Sequence, residues 1–326
     1  MAPTILPSRA APASIAAARR ADRDYGGTAQ PDWRDIDWRE HLRSVEIGGR
    51  AVNYVDIGSG AAGPPIVFVH GLGGAWQNWL ENIPRAAEER RVLALDLPGF
   101  GRSEMPRGEI TVPGYGRSVE EFCEQLGLDQ VVLVGNSMGG FVAAETTIQF
   151  PSRVERLVLV SAAGLSITNL MRRPVQTWGR VAAALGSYGA ANTRAAITRP
   201  VIRQLSLGFV MRHPTRLRAD LCWEQVHAAG TPGFRPALDA LLDYDFHHRL
   251  EEISCPTLIV WGTEDMLVPV ADADEFERMI RGARKILMKD TGHVPMLERP
   301  AKFNECLIEF LAEPRDAPRS EAEATV

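Results

Sequence analysis

The sequence predicts an α/β fold: a mostly parallel central sheet with helices on both faces and an inserted helical cap. Three observations lead there. Short apolar runs rich in β-branched residues recur along the chain: PPIVFVH (Pro64 to His70), RVLALD (Arg91 to Asp96), VVLVG (Val131 to Gly135), RLVLVSA (Arg156 to Ala162), PTLIVWG (Pro256 to Gly262) and RKILMKD (Arg284 to Asp290). Each has the length and composition of a strand buried on both faces. Amphipathic segments of helical period lie between them, and such alternation is the pattern of a parallel sheet. One interval, Gly164 to Leu250, contains several helical patterns and no strand-like run.

Taken in chain order, residues 1–40 read as a flexible extension. Residues Met1 to Gln30 are rich in Ala, Pro and Arg, and Arg19-Arg20 is followed by Ala-Asp-Arg-Asp. A secretory signal needs a continuous apolar run after its basic part, so none is expected here. Leu42 to Ile47 and Ala51 to Ile57 read as two strands of a hairpin turned at Gly48-Gly49. The α/β core is expected over residues 41–163 and 251–313. Within it, SVEEFCEQLG reads as a helix with Gly127 as C-cap. RPAKFNECLIEFLAE reads as another, with Pro300 in its first turn. Residues 164–250 form the expected cap, emerging at the strand C-termini where open parallel sheets bind ligands. The cap interval carries 11 Arg, no Lys and 5 acidic residues, a net charge of 11 − 5 = +6. Most of these arginines are expected on solvated faces, with one or two available to an anionic group. The tail, residues 314–326, reads as disordered.

Composition narrows the function classes. A 326-residue chain that is 45% apolar has ample material for a large core, and its net charge of −5 argues against a nucleic-acid partner. The four cysteines, Cys123, Cys222, Cys255 and Cys306, show no CxxC spacing and read as free thiols of a reducing compartment, hence cytoplasmic. The seven histidines show no metal-ligand spacing, so no metal or other cofactor is expected. No stretch approaches the ~18 consecutive apolar residues of a membrane span.

The stretch VVLVGNSMGGFVAAE, Val131 to Glu145, carries the chemistry. Gly135-Asn136-Ser137-Met138-Gly139 fits G-x-S-x-G between a buried strand and a helix. Such a tight turn strains the serine backbone, and side chains at positions 135 and 139 would collide across it. Gly140, Ala143 and Ala144 let the next helix lie close to the sheet. Ser137 is thereby held at a helix N-terminus, where the dipole favours a developing negative charge.

A serine nucleophile needs a base, and the base needs an orienting acid. Of the histidines after Ser137, His213, His227, His247 and His248 fall in the helical insertion, and only His293 follows a core strand. Asp265 lies just after the PTLIVWG strand, a position that favours it over Glu264, Asp243 and Asp245. The oxyanion hole requires two backbone N–H groups. Met138, after the serine, is one candidate; the segment His70-Gly71-Leu72-Gly73-Gly74 offers Leu72, with Gly73 as the alternative.

The segments HGLGG, DLPGFGRS (Asp96 to Ser103), GNSMGG, GTEDMLVP and GHVPMLERP occur in the order found in the α/β-hydrolase superfamily, and the chain resembles its capped members from Leu42 to Glu313. The resemblance implies a Ser137-His293-Asp265 triad, an acyl-enzyme intermediate and no cofactor. The HGLGG segment is similar to the oxyanion segment of esterases and monoacylglycerol-type lipases, so the leading expectation is a carboxylic ester hydrolase acting on a small, largely apolar molecule. Trp76 and Trp79 are candidates to line an acyl pocket, against an ordinary role in core packing. The alternative is a C–C bond hydrolase of meta-cleavage products from aromatic degradation, which NSMGG also resembles. That group usually has a glycine–proline pair in the oxyanion segment and a tryptophan soon after the histidine. Here Gly73-Gly74-Ala75 and Val294-Pro295-Met296-Leu297 stand instead. Epoxide hydrolases and haloalkane dehalogenases place an aspartate where Ser137 stands. A cofactor-free perhydrolase shares the triad, and a ligand-binding receptor on this fold would bind without turnover.

Overall fold

The computed structural model describes residues 12–58, 63–165, 194–226, 231–314 and 324–325. All eight strands expected from the apolar runs form: β1 (Leu42–Ile47), β2 (Arg50–Ile57), β3 (Ile66–Val69), β4 (Val92–Leu95), β5 (Val131–Asn136), β6 (Val154–Val160), β7 (Thr257–Gly262) and β8 (Arg284–Met288). A two-residue β9 (Ala324–Thr325) completes one sheet of order β1-β2-β4-β3-β5-β6-β7-β8-β9. The β1–β2 and β2–β4 pairings are antiparallel and the rest parallel.

Among the described residues the helices are α1 (Ile15–Ala18), α2 (Ile83–Ala87), α3 (Val112–Gln125), α4 (Met138–Gln149), α5 (Arg194–Ile197), α6 (Pro200–Leu207), α7 (Ala219–Val226), α8 (Phe234–Asp243), α9 (Ala271–Met279), α10 (Pro295–Glu298) and α11 (Pro300–Ala312). The helix read from SVEEFCEQLG starts earlier than that stretch. Thr111 caps it by accepting the Gly114 N–H at 3.0 Å, and Pro113 sits in its first turn.

The pleat sorts each strand between two cores. Val67 and Val69 of β3 belong to the same apolar layer as Phe122 of α3, Phe141 of α4 and Phe276 of α9. Ile66 and Phe68, one residue out of phase, face Trp79, Ile83 of α2, and Phe303 and Leu307 of α11. Both faces are covered, which is why the central strands read as unbroken apolar runs rather than alternating ones.

The strand order reverses at β3, which pairs with β4 on one side and β5 on the other. Loops leaving the C-terminal ends of β3 and β5 therefore diverge from a common crevice, the usual ligand position of an open parallel sheet. The interval 164–250 leaves the sheet after β6 and returns at β7. Its described residues hold α5 to α8 and a 3₁₀ turn at His247–Glu252, with no strand.

Two expectations are corrected. Residues 12–40 pack on the body instead of hanging free, although composition suggested flexibility. Tyr25 is 1% exposed, and the Trp38 ring lies 5.0 Å from that of Trp76. A few aromatic residues supply contact area that the Ala, Pro and Arg content conceals. Residues 1–11 lie outside the described residues. In the tail, Ala324 and Thr325 pair with Ile286 and Leu287 of β8, using backbone groups an edge strand leaves open. Residues 315–323 lie outside the described residues. No described helix is long and apolar enough to cross a membrane.

Candidate active site

The turn between β5 and α4 sets the geometry. Ser137 has φ 54° and ψ −117°, a conformation that non-glycine residues rarely adopt. It is held there by backbone bonds on both sides: its N–H donates to Val160 O at 3.0 Å, and its carbonyl accepts from Ala163 N at 3.0 Å and Phe141 N at 3.1 Å. A Cβ at Gly135 would lie 2.1 Å from the Gly139 carbonyl oxygen, and one at Gly139 would lie 2.2 Å from that of Val69. Neither position tolerates a side chain. Met138, buried, opens α4, so its N–H belongs to the unsatisfied first turn of a twelve-residue helix.

The loop after β3 runs beside this turn. A Cβ at Gly71 would sit 3.3 Å from Ser137 Cβ. His70, fully buried, locks the loop: Nε2 accepts the Leu97 N–H at 3.0 Å, leaving Nδ1 to donate to Gly71 O at 2.8 Å. Burial holds its pKa below the ordinary histidine value despite the opposing field of Asp96, so the neutral ring that this pairing needs is the favoured one. Leu72 is partly buried, and Gly73 adopts φ 74°.

Asp96, 1% exposed, ties three segments together. Oδ1 accepts the Trp76 N–H at 2.8 Å, and Oδ2 accepts from Asn53 Nδ2 at 2.8 Å and Arg102 N at 2.9 Å. It thus joins the segment after HGLGG to the DLPGFGRS loop.

Strands β7 and β8 supply the remaining groups. Asp265, 1% exposed, follows β7; its Oδ1 accepts Leu267 N at 2.8 Å and Val268 N at 3.0 Å. Its Oδ2 lies 2.8 Å from Nδ1 of His293, in the loop after β8. A carboxylate at Nδ1 fixes that nitrogen as the proton carrier and leaves Nε2 with its lone pair. His293 is held in turn by its N–H to Val210 O at 2.8 Å. Asn136, next to Ser137, donates through Nδ2 to Val160 O at 3.0 Å and His293 O at 3.3 Å. The histidine loop is thereby moored to the residue before the serine.

A family model described as the alpha/beta hydrolase fold matches residues 64–300. The chain belongs to this family. Among its relatives, this hydrolase is 31% identical to 2-hydroxy-6-oxo-2,4-heptadienoate hydrolase of Pseudomonas putida over 83% of this chain and 96% of that protein. The crystal structure of a membrane phospholipase A, described as a bacterial virulence factor, superposes with TM-score 0.66 at 25% identity, covering 93% of this chain and 92% of that one. A serine hydrolase involved in carbazole degradation superposes with TM-score 0.66 at 26% identity over 83% of this chain and 98% of the other.

The other histidines of the hydrolase are engaged elsewhere. His213 pairs with Asp290 and His247 with Glu275, each at 2.8 Å, and His248 is exposed. His227 lies outside the described residues. Of the competing acids, Asp243 and Asp245 are exposed on the cap, and Glu264 lies 3.8 Å from Arg212. Among the described residues no group of three or more His, Cys, Asp or Glu side chains is placed to hold a metal ion.

The two tryptophans, candidates for an acyl pocket against ordinary core packing, are both buried among apolar side chains. Trp79 is fully buried, stacked on Phe68 at 4.6 Å and near Phe303 at 6.2 Å, and Trp76 packs on Trp38. The 3₁₀ turn that carries both (Trp76–Trp79) points them toward the α2–α11 layer. The cap supplies residues that sequence reasoning missed. Phe234 at the start of α8 comes within 3.1 Å of a Cβ position on Gly73. The Gly233 N–H donates to Gly99 O at 3.0 Å, and Gln225 of α7 accepts from Asn78 and donates to Gln77 O. Only the position of the insertion after β6 hinted at these contacts.

Proposed function

We propose that this hydrolase cleaves a carboxylic ester of a small, largely apolar molecule through an acyl-enzyme. The observation that supports the reading is the 2.8 Å Asp265–His293 bond, together with the 3.3 Å bond from Asn136 Nδ2 to His293 O that ties this loop to the residue before Ser137, itself held at φ 54°. Nε2 of His293 removes the proton from Ser137 Oγ as that oxygen attacks the ester carbonyl. The N–H groups of Met138 and Leu72, with Gly73 as the alternative to Leu72, receive the oxyanion. His293 returns the proton to the departing alkoxide, which leaves as alcohol. Water then gives its proton to the same nitrogen and attacks the acyl carbonyl, the bond to Ser137 Oγ breaks as His293 hands that proton back to the serine, and the acid leaves, while Asp265 stabilises each transient imidazolium. This chemistry draws on no cofactor. The apolar surface of Leu72 and Phe234 around the oxyanion loop supports an apolar acyl or alcohol group. Four free, buried cysteines fit a reducing compartment such as the cytoplasm.

The second reading, C–C cleavage of a dienoic diketone, is favoured by the similarity to the heptadienoate hydrolase. Such a substrate carries a carboxylate that calls for a cap arginine. In the cap, Arg203, Arg212, Arg216, Arg218 and Arg249 each donate to protein oxygens, Arg194, Arg199 and Arg235 are exposed, and Arg172, Arg173 and Arg180 lie outside the described residues. The ester reading stands first on the apolar surroundings of the Gly73 loop, where Leu72 and Phe234 lie.

Hydrolysis of a p-nitrophenyl ester series, acetate to laurate, tests it. Turnover should peak at one chain length, and Ser137→Ala should lower kcat by about 10⁶. An undiminished rate in that variant defeats the assignment of Ser137. Turnover of a dienoic diketone with none of the esters reverses the order of the two readings.

A further inference from the structure

Glu298 is fully buried five residues after His293, and four donors converge on it. Gly292 N at 2.9 Å and Val294 N at 3.2 Å, the amides flanking His293, donate to its two carboxylate oxygens. Arg212 N, from the cap, donates to Oε2 at 2.8 Å. The fourth donor is the hydroxyl of Tyr25, from the segment that precedes the whole α/β core. That hydroxyl also accepts the His213 N–H at 2.7 Å. One phenol oxygen therefore links the histidine loop to the cap.

The rest of the segment is fastened to the same loop. Asp22 takes both guanidinium ends of Arg299, at 3.0 and 2.9 Å, and that guanidinium lies 5.6 Å from the centre of the Tyr25 ring. Arg299 Nε reaches Thr291 Oγ1 at 2.7 Å, and Gly26 N donates to Glu298 O at 2.8 Å. Asp22 to Gly26 thus braces residues 291–299, while Asp265 holds the imidazole itself.

We infer that Tyr25 is a positioning residue for the reaction, acting through Glu298 to hold His293 in line with Ser137. A carboxylate in a dry site with one donor removed keeps its need for a partner and turns toward water or another amide. The amides it restrains are the two on either side of His293, so a loss at Tyr25 is delivered to the imidazole. Burial pushes the Glu298 carboxyl above its usual range, and its burial and charge push the Tyr25 phenol up as well, so the hydroxyl keeps its donor proton at working pH. The inference rests on the serine-hydrolase reading.

The test compares wild type, Tyr25→Phe and Asp22→Asn in the full chain. The readouts are kcat and KM on the best p-nitrophenyl ester, the second-order rate of fluorophosphonate labelling, and the low-field proton resonance of the His293 Nδ1–H. Tyr25→Phe should lower kcat and the labelling rate by about 10- to 100-fold, with KM within about twofold, and should shift or broaden the low-field resonance. Asp22→Asn, at a half-exposed carboxylate, should give the same pattern more weakly and covers a Tyr25→Phe that does not fold. Normal kcat, labelling and resonance in both folded variants, with only a lower melting temperature, overturn the positioning role and leave Tyr25 as packing. A wild type that neither labels nor hydrolyses esters overturns the serine-hydrolase reading itself, and the positioning role with it.

Discussion

The carboxylate of Asp265 divides its oxygens: Oδ1 is fixed by the amides of Leu267 and Val268, and Oδ2 faces Nδ1 of His293 at 2.8 Å. The acid cannot swing without giving up two backbone bonds, so the imidazole meets a fixed acceptor. Replacing one oxygen by an NH₂ group forces a choice. Asp265→Asn keeps the two amide bonds only by turning its NH₂ toward His293, which then must present Nδ1 as the acceptor and carry its proton on Nε2. That tautomer cannot accept the serine proton. The expected result is a fall in kcat of about 10⁴ with KM and melting temperature nearly unchanged. A fall of less than tenfold means that another group orients the base.

Trp79 offers a test of core packing against a place in the acyl pocket. Its ring is enclosed by Phe68 of β3 and Phe303 of α11, on the α2–α11 side of the sheet. Trp79→Ala should cost about 3–5 kcal/mol of stability, measured by denaturant unfolding, and leave the preferred acyl chain length where it was. A shifted chain-length optimum in a protein of normal stability places the ring back at the substrate.

His70 predicts a pH effect on stability. Its folded pKa lies below the ordinary 6.5, first because burial disfavours the charged ring, with Asp96 opposing. Below 6.5 the unfolded chain therefore binds a proton that the folded chain refuses, so stability rises with pH through this window and is lost on acidification. In His70→Gln, whose side-chain oxygen can still accept the Leu97 N–H, the drop in melting temperature between about pH 7 and about pH 5 should shrink relative to wild type. Equal drops in the two proteins rule out His70 as the source.

The eight core strands and the glycine-bounded turn were legible because each has a local signature. A strand buried on both faces leaves an unbroken apolar run, and a turn too tight for side chains leaves glycines. That Asp265 and His293 would meet was suggested by their places after β7 and β8, and they do lie 2.8 Å apart. The bracing of the site was not. Asp96 and Glu298 look like ordinary surface acids until the chain folds, because their donors come from residues as distant as Asn53 and Tyr25. The same holds for Trp79 and Phe234. Sequence spacing tells that an aromatic follows the oxyanion loop, but only the direction of a 3₁₀ turn decides which layer receives it. The segment 12–40 was misread because its Ala, Pro and Arg content suggested flexibility, while Tyr25 and Trp38 are scattered without a period that would mark a packed face.

Tyr25 and Glu298 are 273 residues apart, and between them lie nearly all the strands of the sheet. During synthesis the segment bearing Tyr25 leaves the ribosome first and must wait for the stretch around Glu298. The turn bearing Ser137 likewise emerges long before His293. On the proposed mechanism, a nascent chain that has exposed Ser137 still lacks the histidine that activates it. Joining contacts so distant along the chain makes folding slow. On the proposed mechanism it also couples activity to completion: a chain cut short before β8 lacks the His293 assigned to activate the serine.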